Sequence, residues 1–130
     1  MNNPENCPCG SEKSFVQCCG IYLNGEAKAE TAEQLMHSRY SAYAKENESY
    51  LKNTWHPDTQ PETIEFEPDI KWIRLRIKNT EKGGADDEQG TVEFIATYKK
   101  NGRAFQLHEI SRFVRNNGAW VYLDGEDNNN

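Results

Sequence analysis

The stretch Thr91-Val92-Glu93-Phe94-Ile95-Ala96-Thr97-Tyr98-Lys99-Lys100-Asn101-Gly102-Arg103-Ala104-Phe105-Gln106-Leu107 decides the fold. Val92, Phe94, Ala96 and Tyr98 alternate with Thr91, Glu93, Ile95 and Thr97, the period of a half-buried strand. Asn101-Gly102 then supplies the two residues that most readily take positive φ in a tight hairpin. The next strand is predicted over Ala104 to Val114, and Asn116-Asn117-Gly118 turns it into a last one, Ala119 to Asp124. Upstream, Glu81 to Gly90 is polar and glycine-rich enough to be a loop. Before it, Ile73, Leu75 and Ile77 alternate with Trp72, Arg74, Arg76 and Lys78. The pattern is a meander of four antiparallel strands.

The helices precede it. Thr31-Ala32-Glu33-Gln34 has the form of a capping box, with a hydroxyl facing the fourth amide and a glutamine able to reach back. Ala32, Leu35, Met36, Tyr40, Tyr43 and Ala44 recur every three or four residues, placing Glu33, Ser38, Ser41 and Lys45 on the outer side. Asn47 is placed to cap a second helix through Tyr50, Leu51 and Trp55, which Pro57 ends at His56. The acidic, proline-marked stretch from Pro57 to Pro68 reads as an extended connection, with Ile64 and Phe66 on a short edge strand. Helices first and strands after give an α+β fold, a helix pair packed on one face of an antiparallel sheet.

A chain of 130 residues buries roughly two thirds of its unfolded surface, so one ordinary core is within reach. Only 35% of the residues are apolar, but three Trp, six Tyr and five Phe bury large areas each. The formal charge of −6 does not steer the chain toward nucleic acid. The first residues have neither the basic nor the apolar part of a leader, and no apolar run reaches the length of a membrane span. The expected compartment is the cytoplasm, where thiols stay reduced.

That bears on the cysteines, because all four fall in Cys7-Pro8-Cys9-Gly10-Ser11-Glu12-Lys13-Ser14-Phe15-Val16-Gln17-Cys18-Cys19-Gly20. Two close pairs with one return between them can close a tetrahedron of sulfur around zinc. Disulfides are the competing reading, and a Cys18–Cys19 bridge would be strained by adjacent Cα atoms only about 3.8 Å apart. We read Cys7, Cys9, Cys18 and Cys19 as ligands of one structural zinc per chain. Four sulfurs leave no open position for catalysis, and with so little core of its own the module would draw most of its folding free energy from the metal. Ile21 to Gly25 would join it to the remainder of the chain, giving a zinc-binding motif (1–25), an α+β domain (26–125) and a disordered tail (126–130).

Cys-Pro-Cys-Gly-Ser-x-Lys followed by Cys-Cys-Gly resembles the SEC-C motif, a zinc-binding segment found at the C-terminus of the preprotein translocase ATPase and on small bacterial proteins. Leu35 to Tyr43, Thr54-Trp55-His56-Pro57, Leu107 to Val114 and Trp120 to Gly125 are similar to the YchJ family of SEC-C proteins. The resemblance implies a nuclear transport factor 2-like domain, a cystatin-like cone of helices against a curved sheet, and assigns no reaction. Translocase-type motifs carry several lysines around the third cysteine for partner docking; here only Lys13 lies between the pairs.

A regular pleat puts Phe105, Leu107, Glu109, Ser111 and Phe113 on one face, so Glu109 points to the apolar side. It then needs a cation or a donor, for which Arg39, Tyr40, Tyr43 and Tyr122 are candidates. Together with Trp55 and Trp120, and with His56 or His108 as proton carriers, these outline a candidate cone pocket. The plainer alternative is an aromatic core braced by one buried Glu–Arg or Glu–Tyr pair. Two functions are compatible with this: a non-enzymatic zinc protein that docks on another protein or holds a small molecule in the cone, or a lyase, isomerase or hydrolase using Glu109. A deep cavity at Glu109 would favour ligand binding or catalysis, and a filled cone would favour docking.

Overall fold

The computed structural model describes residues 6–127. Strands β1 (Ile70–Lys82), β2 (Gln89–Lys100), β3 (Arg103–Asn116) and β4 (Ala119–Asp127) form one antiparallel sheet in sequence order. Asn101 and Gly102 take φ of 53° and 78°, the paired positive values of a type I′ turn. From Gln89↔Val114 to Lys100↔Arg103, β2 and β3 pair without interruption. Glu109 therefore lies opposite Phe94 on the inner face.

Strand β1 departs from its period. The register shifts between Trp72 and Arg74, so that Trp72 pairs with Tyr98 and Leu75 with Ala96. One extra residue flips the side chains on one side of it. Trp72 thus turns inward with Leu75 and Ile77, while Ile73, expected inside, is 44% exposed. The expected loop from Glu81 shrinks to residues 83–88. Strand β4 runs on to Asp127, opposite Glu109, so Glu126 and Asp127, expected in the tail, belong to the ladder. Residues 128–130 of that expected tail lie outside the described residues. Between β3 and β4 a further shift lets Phe113 face Tyr122 while Arg112 faces Asp124, leaving Leu123 as the extra residue and bending the sheet.

Three helices pack inside the curve: α1 (Gly20–Leu23), α2 (Ala32–Ala44) and α3 (Glu48–Asn53). Thr31 Oγ1 accepts from the Gln34 amide at 3.1 Å, while Gln34 Oε1 reaches the amide of Glu30, one residue before the cap. Asn47 caps α3 through the Tyr50 amide at 3.0 Å. The helix ends before Trp55 because the backbone beyond it is taken by β4: the Tyr122 amide donates to Thr54 at 2.7 Å, and His56 donates to Tyr122 at 2.8 Å. Ile64 and Phe66 form no strand; the Ile64 amide is held by the Glu48 carboxylate, and the Phe66 ring packs edge-on against Tyr43.

Ser38 and Ser41, expected on the outer side of α2, are fully buried. The helix is covered on most sides, by the sheet, α3 and the cysteine segment, while Glu33 stays exposed. Ser38 Oγ donates to the Leu35 carbonyl and shares a 2.7 Å hydrogen bond with the Tyr50 hydroxyl. Cys7, Cys9 and Cys19 belong to the same core cluster as Leu35, Tyr40, Leu75, Phe94 and Phe113. The join near residue 25 is therefore not a gap between two cores.

Candidate functional site

Backbone turns gather the four sulfurs. A bridge between Asn6 and Ser14 closes the first knuckle, the Cys7 amide donates to Lys13 at 2.8 Å, and the Gly10 amide turns back to Cys7. Gly10 sits at φ 89°, open to glycine at little cost. A 3-10 turn over Phe15–Gln17 then delivers Cys18, and Cys19 caps α1. Gly20 permits this crossing, because a Cβ there would meet the Phe15 carbonyl oxygen at 2.6 Å.

The sulfur atoms all lie within 4.8 Å of one another, and all four cysteines are free thiols rather than disulfides. Cys9 and Cys18 are 3.7 Å apart, against an edge of about 3.8 Å for a sulfur tetrahedron with 2.3 Å bonds. Hydrogen bonds from Cys19 and Cys9 hold the Cys7 thiol far below its ordinary pKa, and the presence of Cys7 pushes Cys19 far up. Thiols packed this closely cannot all ionise unless a cation shares the site. Cys7, Cys9 and Cys19 are nonetheless buried away from water. A soft divalent ion neutralises all four thiolates at once, so the donor set fits a metal. Outer contacts orient the sulfurs: Ser11 Oγ donates to Cys18 Sγ at 3.1 Å, Cys19 Sγ donates to the His37 carbonyl, and Cys7 Sγ meets Ser41 Oγ at 3.4 Å.

The second feature is a cavity of about 270 Å³ between α2 and the inner face of the sheet. Arg39, Tyr40, Tyr43, Glu109 and Tyr122 line it, joined by Met36, Trp72, Phe94, Ala96, Leu107 and Ser111. The other four candidates lie elsewhere. Trp55 stands behind Arg39, edge-on to Tyr122. Trp120 stacks on Arg115 and gives its indole N–H to the Glu30 carbonyl. His56 accepts from the Asp58 amide. His108 projects from the opposite face of the sheet, where its Nε2 lies 2.7 Å from Glu93. No histidine among the described residues reaches the cavity, which removes the proton carriers expected beside Glu109. Trp72 was hidden from sequence reasoning by the β1 bulge, and Ser111 was visible on the Glu109 face without being chosen.

Arg39 is 3% exposed. One of its nitrogens donates to the Leu51 carbonyl at 2.8 Å and to Thr54 Oγ1 at 2.8 Å, tying α2 to the end of α3. The rings of Trp55 and Tyr122 lie 4.9 and 4.7 Å from the guanidinium carbon. Glu109 accepts instead from Ser111 Oγ at 2.9 Å. Burial pushes its carboxyl above the ordinary range, Ser111 and Arg39 offsetting part of this and Asp127 adding to it. Burial likewise raises the phenols of Tyr40 and Tyr122, which keep their protons. Among the described residues the Tyr40 hydroxyl has no hydrogen-bond partner.

Residues 31–125 match the family model described as YchJ, middle NTF2-like domain. A UPF0225 protein of Streptomyces coelicolor is 48% identical over 92% of the chain and 94% of its own length. One from Chromobacterium violaceum is also 48% identical, over 92% and 90%. The solution structure of a SEC-C motif containing protein from Rhodopseudomonas palustris superposes with a TM-score of 0.80 at 32% identity, covering 93% of this chain and 97% of that one. A crystal structure of a SEC-C motif containing protein from Psychrobacter arcticus gives a TM-score of 0.77 at 26% identity, covering 92% and 81%. No helix among the described residues is long and apolar enough to cross a membrane.

Proposed function

The chain belongs to the YchJ family of SEC-C motif proteins with an NTF2-like domain, and from that premise we propose that it is a zinc-braced binding protein whose cone holds a small molecule. The observation that carries this reading is the cavity at Glu109, lined by Arg39, Tyr43 and Tyr122 beside the apolar walls of Trp72, Phe94 and Leu107. An aromatic core that merely closed on itself would not leave this space. Cys7, Cys9, Cys18 and Cys19 would hold the zinc, which as a closed four-sulfur centre supplies folding energy and no reactive position. Its place against α2, through Ser41 and the His37 carbonyl, supports a bracing role.

The enzymatic alternative keeps Glu109 but loses its histidines. Tyr40 and Tyr122, with raised pKa, serve better as hydrogen-bond donors than as bases. Docking through the knuckle has a narrower support in Val16, which is 70% exposed.

Two measurements test the proposal. Protein purified without added metal should carry one zinc per chain by elemental analysis, and a value near zero would refute the bracing role. A fragment screen read by amide and indole NMR should give hits that shift Trp72, Phe94 and Leu107 together; hits scattered over the surface would refute the cone as binding site.

A further inference from the structure

We propose that the cone takes a neutral, planar cyclic amide, its ring N–H donated to Glu109 and its carbonyl accepting from Tyr122. This deepens the reading of the cone as a ligand site and rests on it. Charge decides the first part. Of the residues lining the cavity, Arg39 and Glu109 alone carry it, and Arg39 acts on the Glu109 carboxylate. The guanidinium is already engaged. It bonds the Leu51 carbonyl, Thr54 Oγ1 and the Tyr43 side chain, and it lies over the rings of Trp55 and Tyr122. A cationic ligand would meet this guanidinium, and an anionic one would meet the carboxylate, in surroundings that screen charge poorly. A neutral molecule meets neither penalty.

Glu109 and Tyr122 decide the polar edge. Glu109 Oε2 accepts from Ser111 Oγ at 2.9 Å, and among the described residues no other hydrogen bond reaches the carboxyl group. A carboxylate has acceptor sites on both oxygens, so one side of it is open to a donor. Tyr122 stands next to it. Gly125 pairs with Ser111 in the ladder, and a Cβ at Gly125 would collide with the Glu109 carboxyl group and come within 3.1 Å of the Tyr122 hydroxyl. The two groups therefore flank one point on the inner face, and burial keeps the phenol protonated. An acceptor beside a donor matches the edge of a cyclic amide, whose N–H and C=O point the same way.

The match holds in either protonation state of Glu109. Ionised, it accepts the ring N–H; protonated, it still accepts through its carbonyl oxygen and gives its own proton to the ligand's carbonyl. Size and shape limit the remainder of the molecule. At about 30 Å³ for each water of the liquid, 270 Å³ has room for about nine waters, the space of one small ring system. Trp72, Phe94 and Leu107 provide apolar walls for it.

2-Quinolone and coumarin share a shape and a carbonyl and differ in a ring N–H against a ring oxygen. Each is titrated into the full chain as purified and followed by amide and indole NMR. 2-Quinolone should bind about tenfold tighter, the worth of one buried hydrogen bond, and should shift Trp72, Phe94 and Leu107. Glu109→Leu, which removes the acceptor and keeps an apolar side chain of similar size, should bring the two probes to equal affinity. Tyr122→Phe keeps the ring that packs on Trp55 and Phe113 and should weaken both probes several-fold. Equal binding to the unaltered chain, tighter binding of coumarin, a preference that survives Glu109→Leu, or undiminished binding by Tyr122→Phe would overturn the cyclic-amide assignment and leave the cone a ligand site. If neither probe shifts a cavity residue in the millimolar range, both readings fall.

Discussion

Removing the proposed metal should destabilise the whole molecule, because three of the four cysteines that would hold it are part of the common core. Cys7, Cys9 and Cys19 are 4%, 2% and 1% exposed, in one cluster with Tyr40, Leu75 and Phe94. An ion that binds only the folded state, at a free concentration about a thousand times its dissociation constant, contributes about 4 kcal/mol. For a chain between the small and large size classes, each kcal/mol moves the midpoint by about 3–5 °C. Chelation should then lower it by about 12–20 °C. Tryptophan fluorescence is the discriminating assay, since Trp55, Trp72 and Trp120 all lie outside the cysteine segment. It reports the cone alone. If chelation frees the thiols for titration while the fluorescence midpoint stays put, the knuckle is an independent module and the core is not shared.

Further expectations concern single positions. Glu109 has a pKa raised by burial, so its contribution to stability is fully present below the unfolded carboxylate pKa and is lost as pH rises through the folded one. Glu109→Gln should remove that slope and raise the urea midpoint at neutral pH; an unchanged slope would refute the assignment. Gly90→Ala would drive a Cβ into the backbone of Gly83, and, since neither strand end can shift without breaking the β1–β2 ladder, it should cost about 1–3 kcal/mol in denaturant unfolding. Thr31→Ala removes the hydroxyl that caps α2 and should cost about 1 kcal/mol; Thr31→Ser should restore most of it.

Two structural periods and one metal-ligand spacing made most of the architecture legible. Thr91 to Val114 gave hairpin, register and face, so the inward direction of Glu109 was readable before any coordinates. What the sequence hid were register breaks and enclosure. The extra residue at Ile73 reverses Trp72, and nothing in a bare alternation signals a bulge. Ser38 and Ser41 read as surface because a helix with one apolar stripe normally has a wet side, and the third neighbour of α2 is the cysteine segment itself. His56 and His108 looked available because histidines titrate near neutrality; His108 lies on the outer face by the pleat, and His56 falls beyond the helix in a segment captured by β4. Glu126 and Asp127 read as tail on composition, yet they pair with Ile110 and Glu109 and extend β4.

The two candidate sites meet on one thirteen-residue helix. Ser41 meets the sulfurs through its hydroxyl and His37 through its backbone carbonyl. Tyr40 and Tyr43 line the cavity, together with Arg39, which also ties the helix to α3. Interiors packed to crystal density transmit small displacements, so a shift of α2 against the cysteines would move the Arg39 guanidinium relative to Glu109. On the proposed reading, this is what a closed metal site would contribute to a binding cone. The orientation of a buried cation between two rings depends on a helix held from both sides, and Lys45 adds to that hold by lying 4.7 Å over the Phe15 ring at the far end. The cysteine segment therefore belongs to the construction of the cavity, although none of its side chains lines it.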